Sequence, residues 1–244
     1  MMQRMFAISG VAISVMMLPG AGRAQARPDS ARRPAIASVG FEGGAMVKGD
    51  VDYTPLNLQI PQIILDRLKD NPGVRVVERD EVERILKEQD LGTAGRLDPQ
   101  TAARVGKLIG VRYWIGGRYV IDPSGRVVLT AHAFDEETGL WQYTTSLTGK
   151  SDRLLDLVLQ LADTLNRNMK LPPLPAAQRS AAPSSGPSGD RRDQLKALVL
   201  FGRAMDERTK GNTQLAIKLY EDGLAITPDY APARKALALL KNGA

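Results

Sequence analysis

Few side chains in this sequence could carry a reaction, and their spacing decides what each can do. His132 is the only histidine and alternates with Thr130 and Phe134 on one face of a strand pattern. The usual zinc site needs several His, Cys or carboxylate ligands, and the chain has no cysteine. No serine or acid stands where it would mark His132 as the base of a nucleophile, so the residue reads as structural. Asp50 and Asp52 are two loop carboxylates without a further cluster, which is turn chemistry rather than a calcium or magnesium site. Glu78, Arg79, Glu81, Arg84, Lys87 and Glu88 offer acids and bases together, but charges at this spacing make a solvated helix face held by i,i+4 pairs. The expectation is a non-enzymatic protein with no catalytic residue, no cofactor and no metal.

The elements that position these residues centre on Val74 to Val120. Val74 to Val77 reads as a strand, and Asp80 with Glu83 three residues later is an acidic capping box for the next helix, whose buried stripe is Val82, Ile85 and Leu86. Asp98 at a cap position, Pro99 at the first helical position and Gly110 just past Ala102, Val105, Leu108 and Ile109 mark another helix. Before them, Ala35 to Glu42 reads as a strand, and Leu56, Ile60, Ile63, Ile64 and Leu68 as a helix that Pro61 must open or kink. After them come three strands, Val111 to Ile121, Arg126 to Asp135 and Leu140 to Thr148, joined by turns at Asp122-Pro123-Ser124-Gly125 and Glu136-Glu137-Thr138-Gly139. Gly116 and Gly117 inside the first of these predict a bulge or a close helix–strand contact. Ser151 is the expected cap of a last helix with Leu154, Leu157, Val158, Leu161 and Leu165 on one face. The order βαβααβββα predicts an α/β fold, a mixed sheet of about five strands with packed helices.

Residues 171–193 carry five prolines among small residues and read as a linker that lets the C-terminal segment range away from the domain. That segment, residues 194–244, returns to helix. Gly211, Ala216, Tyr220, Gly223, Leu224 and Pro228 fall at the small, aromatic and proline positions of the second helix of a tetratricopeptide repeat, while Ala204 and Glu207 depart from the first. Ala231 to Leu240 is the expected capping helix. One repeat cannot bury both faces, so the segment must dock on its own domain, another subunit or a partner. The protein-interaction residues expected there are Tyr220 and Tyr230.

Residues 1–26 have the form of a cleaved signal peptide: Arg4, an apolar run from Met5 to Leu18 too short to span a bilayer, and Ala24-Gln25-Ala26. Residues 27–34 then form a basic arm, and residues 35–170 the α/β domain. The absence of cysteine excludes a lipid-accepting mature terminus, so the expected place is the periplasm, with no lipid anchor and no transmembrane segment after cleavage. The net charge of +6 comes from the flanks, while the domain itself is slightly acidic. That distribution argues against nucleic acid as a partner.

The runs VVER (76–79), ERILKEQ (83–89), AARVGKLIGVRYWIGG (102–117) and DEETG (135–139) resemble the CsgG family of curli-secretion proteins over about residues 35–168. Related TolB-like and FlgO-like domains share the GVRYWIGG-to-ETG half. The family-motif positions are Glu78, Arg79, Glu88, Gln89, Gly110, Gly116, Gly117, Thr138 and Gly139, read as structural. The resemblance implies a periplasmic, non-catalytic assembly or scaffold protein of the cell envelope, with protein partners and a possible homo-oligomer. A ligand- or peptidoglycan-sensing module using the sheet and the Gly116-Gly117 edge is the alternative. Pore-forming members are lipoproteins that insert long amphipathic hairpins into the strand meander; here a four-residue turn joins the first two of these strands, so the chain is predicted not to be a pore.

Overall fold

Three long strands joined by tight turns form the half of the sheet that alternation predicts most directly. In the computed structural model, which describes residues 33–45, 52–88, 99–173 and 190–243, these are β3 (Val111–Ile121), β4 (Arg126–Asp135) and β5 (Leu140–Lys150). Gly125 and Gly139 take φ of +78° and +68°, the left-handed backbone that these turns require and glycine adopts at no steric cost. Asp122 accepts the Ser124 and Arg126 amides through Oδ1 at 2.9 and 3.0 Å, and Asp135 accepts the Glu137 amide at 2.9 Å. The two turns are built alike.

The other half is parallel. β1 (Ala35–Ala45) pairs with β3 on one side and with β2 (Arg75–Val76) on the other, giving the order β2-β1-β3-β4-β5. The expected bulge lies on the partner strand: Ser38 faces Ile115 and Gly40 faces Gly116, so Val39 is the extra residue, and Gly40 has φ +93°. Gly116 and Gly117 themselves serve close approach between strands, not the expected contact with a helix. A Cβ on Gly117 would strike the Thr130 carbonyl and the Phe41 ring, and one on Gly116 would sit 2.9 Å from Val39.

Helices α1 (Leu56–Lys69) and α4 (Leu154–Asn168) cover one sheet face; α2 (Arg79–Glu88) and α3 (Pro99–Ile109) cover part of the other. Leu56, Ile60, Ile63, Ile64 and Leu68 of α1 are at most 1% exposed, and burying each such side chain is worth roughly 1.5–3 kcal/mol. Pro61 lies inside α1, not at its first turn, and its missing N–H leaves the Asn57 carbonyl without its helical donor. Leu108 departs from the expected α3 stripe and is 57% exposed, while Val105 is fully buried.

Two expected caps are also corrected. The helix before β3 ends as predicted, with Gly110 at φ +67°. Ser151, however, opens a short turn of 3-10 helix (Ser151–Arg153), and α4 starts at Leu154 after Arg153 with no side-chain cap. Asp80 lies in the first turn of α2, where the Glu81 and Val82 amides turn to the Glu78 carbonyl. Its carboxylate is held by Arg208 from the far end of the chain. Gln89 and Asp98 lie outside the described residues.

The C-terminal segment forms α5 (Arg191–Thr209), α6 (Thr213–Ile226) and α7 (Ala231–Lys241). Helix α5 starts at Arg191, inside the stretch read as linker, and is capped by Asp190, which accepts the Arg192 amide at 2.9 Å. These helices do not range away from the domain, because α5 packs along α1. Among the described residues, no helix is long and apolar enough to cross a membrane.

Candidate interaction surface

The junction between α1 and the three C-terminal helices is made by a stripe of α1 that apolar periodicity does not reveal. Gln59, Gln62 and Asp66 follow one another along one side of the helix, with Ile63 next to Gln59 at its edge. Gln59 is 1% exposed, and its Nε2 donates to the Tyr230 hydroxyl at 2.9 Å. The Phe201 ring stacks between the two tyrosines, 5.1 Å from Tyr230 and 6.3 Å from Tyr220. Burial pushes both phenols above their ordinary pKa. Tyr220 and Tyr230 thus make their contacts inside the chain, at 3% and 2% exposure, and the expected partner-facing role does not fall to their rings.

Two glycines allow that approach. A Cβ on Gly202 would run into the Pro55 carbonyl at the start of α1, and one on Gly223 would meet the Phe201 ring. Gly223 stands at a small position of the repeat pattern; Gly202 carries no such signal, since its neighbour is set by tertiary docking. At the rim, Arg208 grips Asp80 through both nitrogens, while Lys69 of α1 pairs with Glu78. Asp66 is different. Its Oδ1 accepts from Gln62 at 3.0 Å, its Oδ2 is shut off from solvent without a hydrogen-bond partner, and burial raises its pKa to about 7.

The remaining motif positions lie elsewhere. Arg79 pairs with Glu83 and Glu88 with Arg84, the i,i+4 pairs expected of α2. Thr138 accepts from Gln142 at 2.6 Å in the β4–β5 turn, beside Gly139. Gly116 and Gly117 border a second cleft, together with His132 and Trp141, whose rings meet edge to face at 4.4 Å. Burial, and then Arg118, lowers the His132 pKa. Among the described residues, no group of three or more His, Cys, Asp or Glu is arranged to hold a metal ion. The structure therefore brings Tyr220, Tyr230, Glu78 and Arg79 to one junction, and leaves Glu88, Thr138 and Gly139 outside it.

Part of the chain is similar to known proteins. The model of the family described as "Curli production assembly/transport component CsgG" matches residues 25–121. No curated protein matches the chain in sequence. Among solved structures, the LpoB C-terminal domain from Salmonella enterica is 10% identical, with a TM-score of 0.39 over 48% of this chain and 83% of that one. TolB from Acinetobacter baumannii is 13% identical, with a TM-score of 0.37 over 57% and 28%. A PelC dodecamer from Paraburkholderia phytofirmans is 14% identical, with a TM-score of 0.35 over 55% and 86%. From the segment before β1 to the end of β3, this chain is similar to the CsgG family.

Proposed function

We propose that the chain is a non-catalytic scaffold of the periplasm, accessory to secretion or to cell-envelope assembly, and not itself a pore. The observation that carries this reading is the strand meander. Ile121 and Arg126 are joined by a four-residue turn closed by the Gly125 amide on the Asp122 carbonyl at 2.9 Å, and β5 runs straight into Ser151. A membrane-spanning strand needs about 9–11 residues of its own, and neither connection contains such a pair. The CsgG match supports the assembly class. The signal-like residues 1–26 support the periplasm, and the repeat-like pattern of residues 194–244 supports a protein partner.

The test uses the chain from residue 27 onward, incubated with liposomes loaded with a small dye. A scaffold releases none and floats free of the vesicles; concentration-dependent release overturns the reading. The cleft beside Gly116, Trp141 and His132 favours a second reading, a peptidoglycan- or ligand-sensing module. Added muropeptide then raises the melting temperature, whereas a scaffold is indifferent to it.

A further inference from the structure

We propose that the cleft beside Gly116 binds a neutral saccharide chain, with the Trp141 indole as its stacking platform; this rests on the ligand-sensing reading and names the class of ligand. The cleft measures about 1070 Å³, just above the roughly 300–1,000 Å³ of small-ligand sites, which suits an extended chain. Trp114 is fully buried, whereas Trp141 is 39% exposed. Among the described residues, Trp141 is the one large apolar side chain lining the cleft that is exposed, which gives a peptide no second anchor there.

The indole is braced by its neighbours. On β5, Trp141 faces Phe134 of β4, with 5.4 Å between ring centroids, and meets His132 at 4.4 Å, both edge to face. Its far end reaches Gly116 of β3, where a Cβ would lie 3.4 Å from it. The glycine leaves the room that the indole uses, and the ring keeps open surface on a rigid sheet. A fixed aromatic ring of this kind offers apolar contact to the C–H face of a pyranose at little cost in side-chain entropy.

The groups around it are those that hydroxyls and acetamides require. Burial, and then Arg118, lowers the His132 pKa, so near pH 7 the imidazole is neutral and offers one donor and one acceptor. Arg118, Glu42 and Thr144 are exposed and line the same cleft, adding donors, acceptors and a hydroxyl. Charge selects no ion. Glu42 and Arg118 are register neighbours on β1 and β3, and Arg203 attracts Asp52. Lys210 pairs with Asp206 and Glu207, and Arg79 with Glu83. Each charge lining the cleft, among the described residues, thus stands near an opposite one, which disfavours a strongly charged ligand.

The experiment is calorimetric titration of the mature chain, residues 27–244, with chitotetraose and with cellotetraose, paired with acrylamide quenching of tryptophan emission. Acrylamide reaches Trp141 and not the buried Trp114, so bound sugar should remove most of the quenching. Binding of both sugars assigns the site to neutral glycans in general, chitotetraose alone to acetamido sugars, and cellotetraose alone to unsubstituted glucans. Affinity should hold between about 50 and 500 mM salt, because no ion pair forms with the sugar. Trp141→Ala should weaken binding about tenfold, while Trp141→Tyr keeps an aromatic face and most of the affinity. Protection of Trp141 in the unmutated chain locates the site whether or not the alanine variant folds. No binding at millimolar sugar, binding that leaves Trp141 open to acrylamide, or salt-sensitive binding overturns the proposal. A muropeptide that raises the melting temperature when neither sugar binds overturns it and spares the ligand-sensing reading; a muropeptide without effect as well overturns both.

Discussion

The two sides of α1 solve the same problem, covering a helix, by opposite means. Toward the sheet it offers Leu56, Ile60, Ile63, Ile64 and Leu68, all buried among apolar neighbours. Toward the C-terminal helices it offers Gln59, Gln62 and Asp66 beside Leu58, and to the apolar contacts of Leu58 and Leu198 the docking adds one hydrogen bond to Tyr230, a stacked aromatic group and a glycine with no room for a side chain. The first side tolerates errors of detail because its attraction is non-directional. The second requires a particular partner in a particular pose, and it leaves the Asp66 Oδ2 without a hydrogen-bond partner. The difference separates what holds the domain together from what the domain holds.

The largest expected effect breaks the apolar side. Ile64→Ala should destabilise the whole chain by about 2–5 kcal/mol in denaturant unfolding, because the site cannot collapse around the lost atoms. Next comes pH. The folded pKa of Asp66, about 7, lies above its ordinary value of 3.8, so the native state binds more protons across that interval and stability falls as pH rises through it. At 1.36 kcal/mol per pKa unit the fall is at most about 4 kcal/mol, and Asp66→Asn should abolish this part of the slope of melting temperature against pH.

Gly202→Ala should cost about 1–3 kcal/mol by forcing α5 away from the Pro55 backbone. Hydrogen exchange then rises in residues 191–241 while the sheet-facing side of α1 stays protected, which isolates the polar side of the comparison. Tyr230→Phe leaves the buried Gln59 amide without its acceptor and should cost about 1 kcal/mol, read by the same exchange. Smallest is Arg208→Ala. Its pair with Asp80 lies at the rim, so the loss should be under about 1 kcal/mol and should shrink further in salt.

The same contrast explains how much of the molecule is legible in the sequence. Positions governed by local rules are readable: the meander boundaries from alternation, Gly125 and Gly139 from turn chemistry, and Gly110 from helix termination. Asp80 fits a capping pattern locally, and only the fold brings Arg208 within its reach from 128 residues away. Leu108 fits the helical period but faces solvent. Tyr220 and Tyr230 are recognisable as docking residues, yet nothing local says that the surface they meet belongs to the same chain. The Gln59, Gln62 and Asp66 spacing is a signal in plain sight, polar residues on one line of an amphipathic helix, and it gains meaning only once something covers it.

The junction forms only if the C-terminal helices close over the polar side of α1 within one molecule. Since the sequence lacks cysteine, Lys69→Cys combined with Lys235→Cys places the only two thiols at the junction, one on α1 and one on α7. Treatment of dilute protein with a short bifunctional maleimide should yield monomers cross-linked between α1 and α7, identified by peptide mass. Cross-linking that produces dimers alone, or no joined peptide at all, would contradict closure within one molecule.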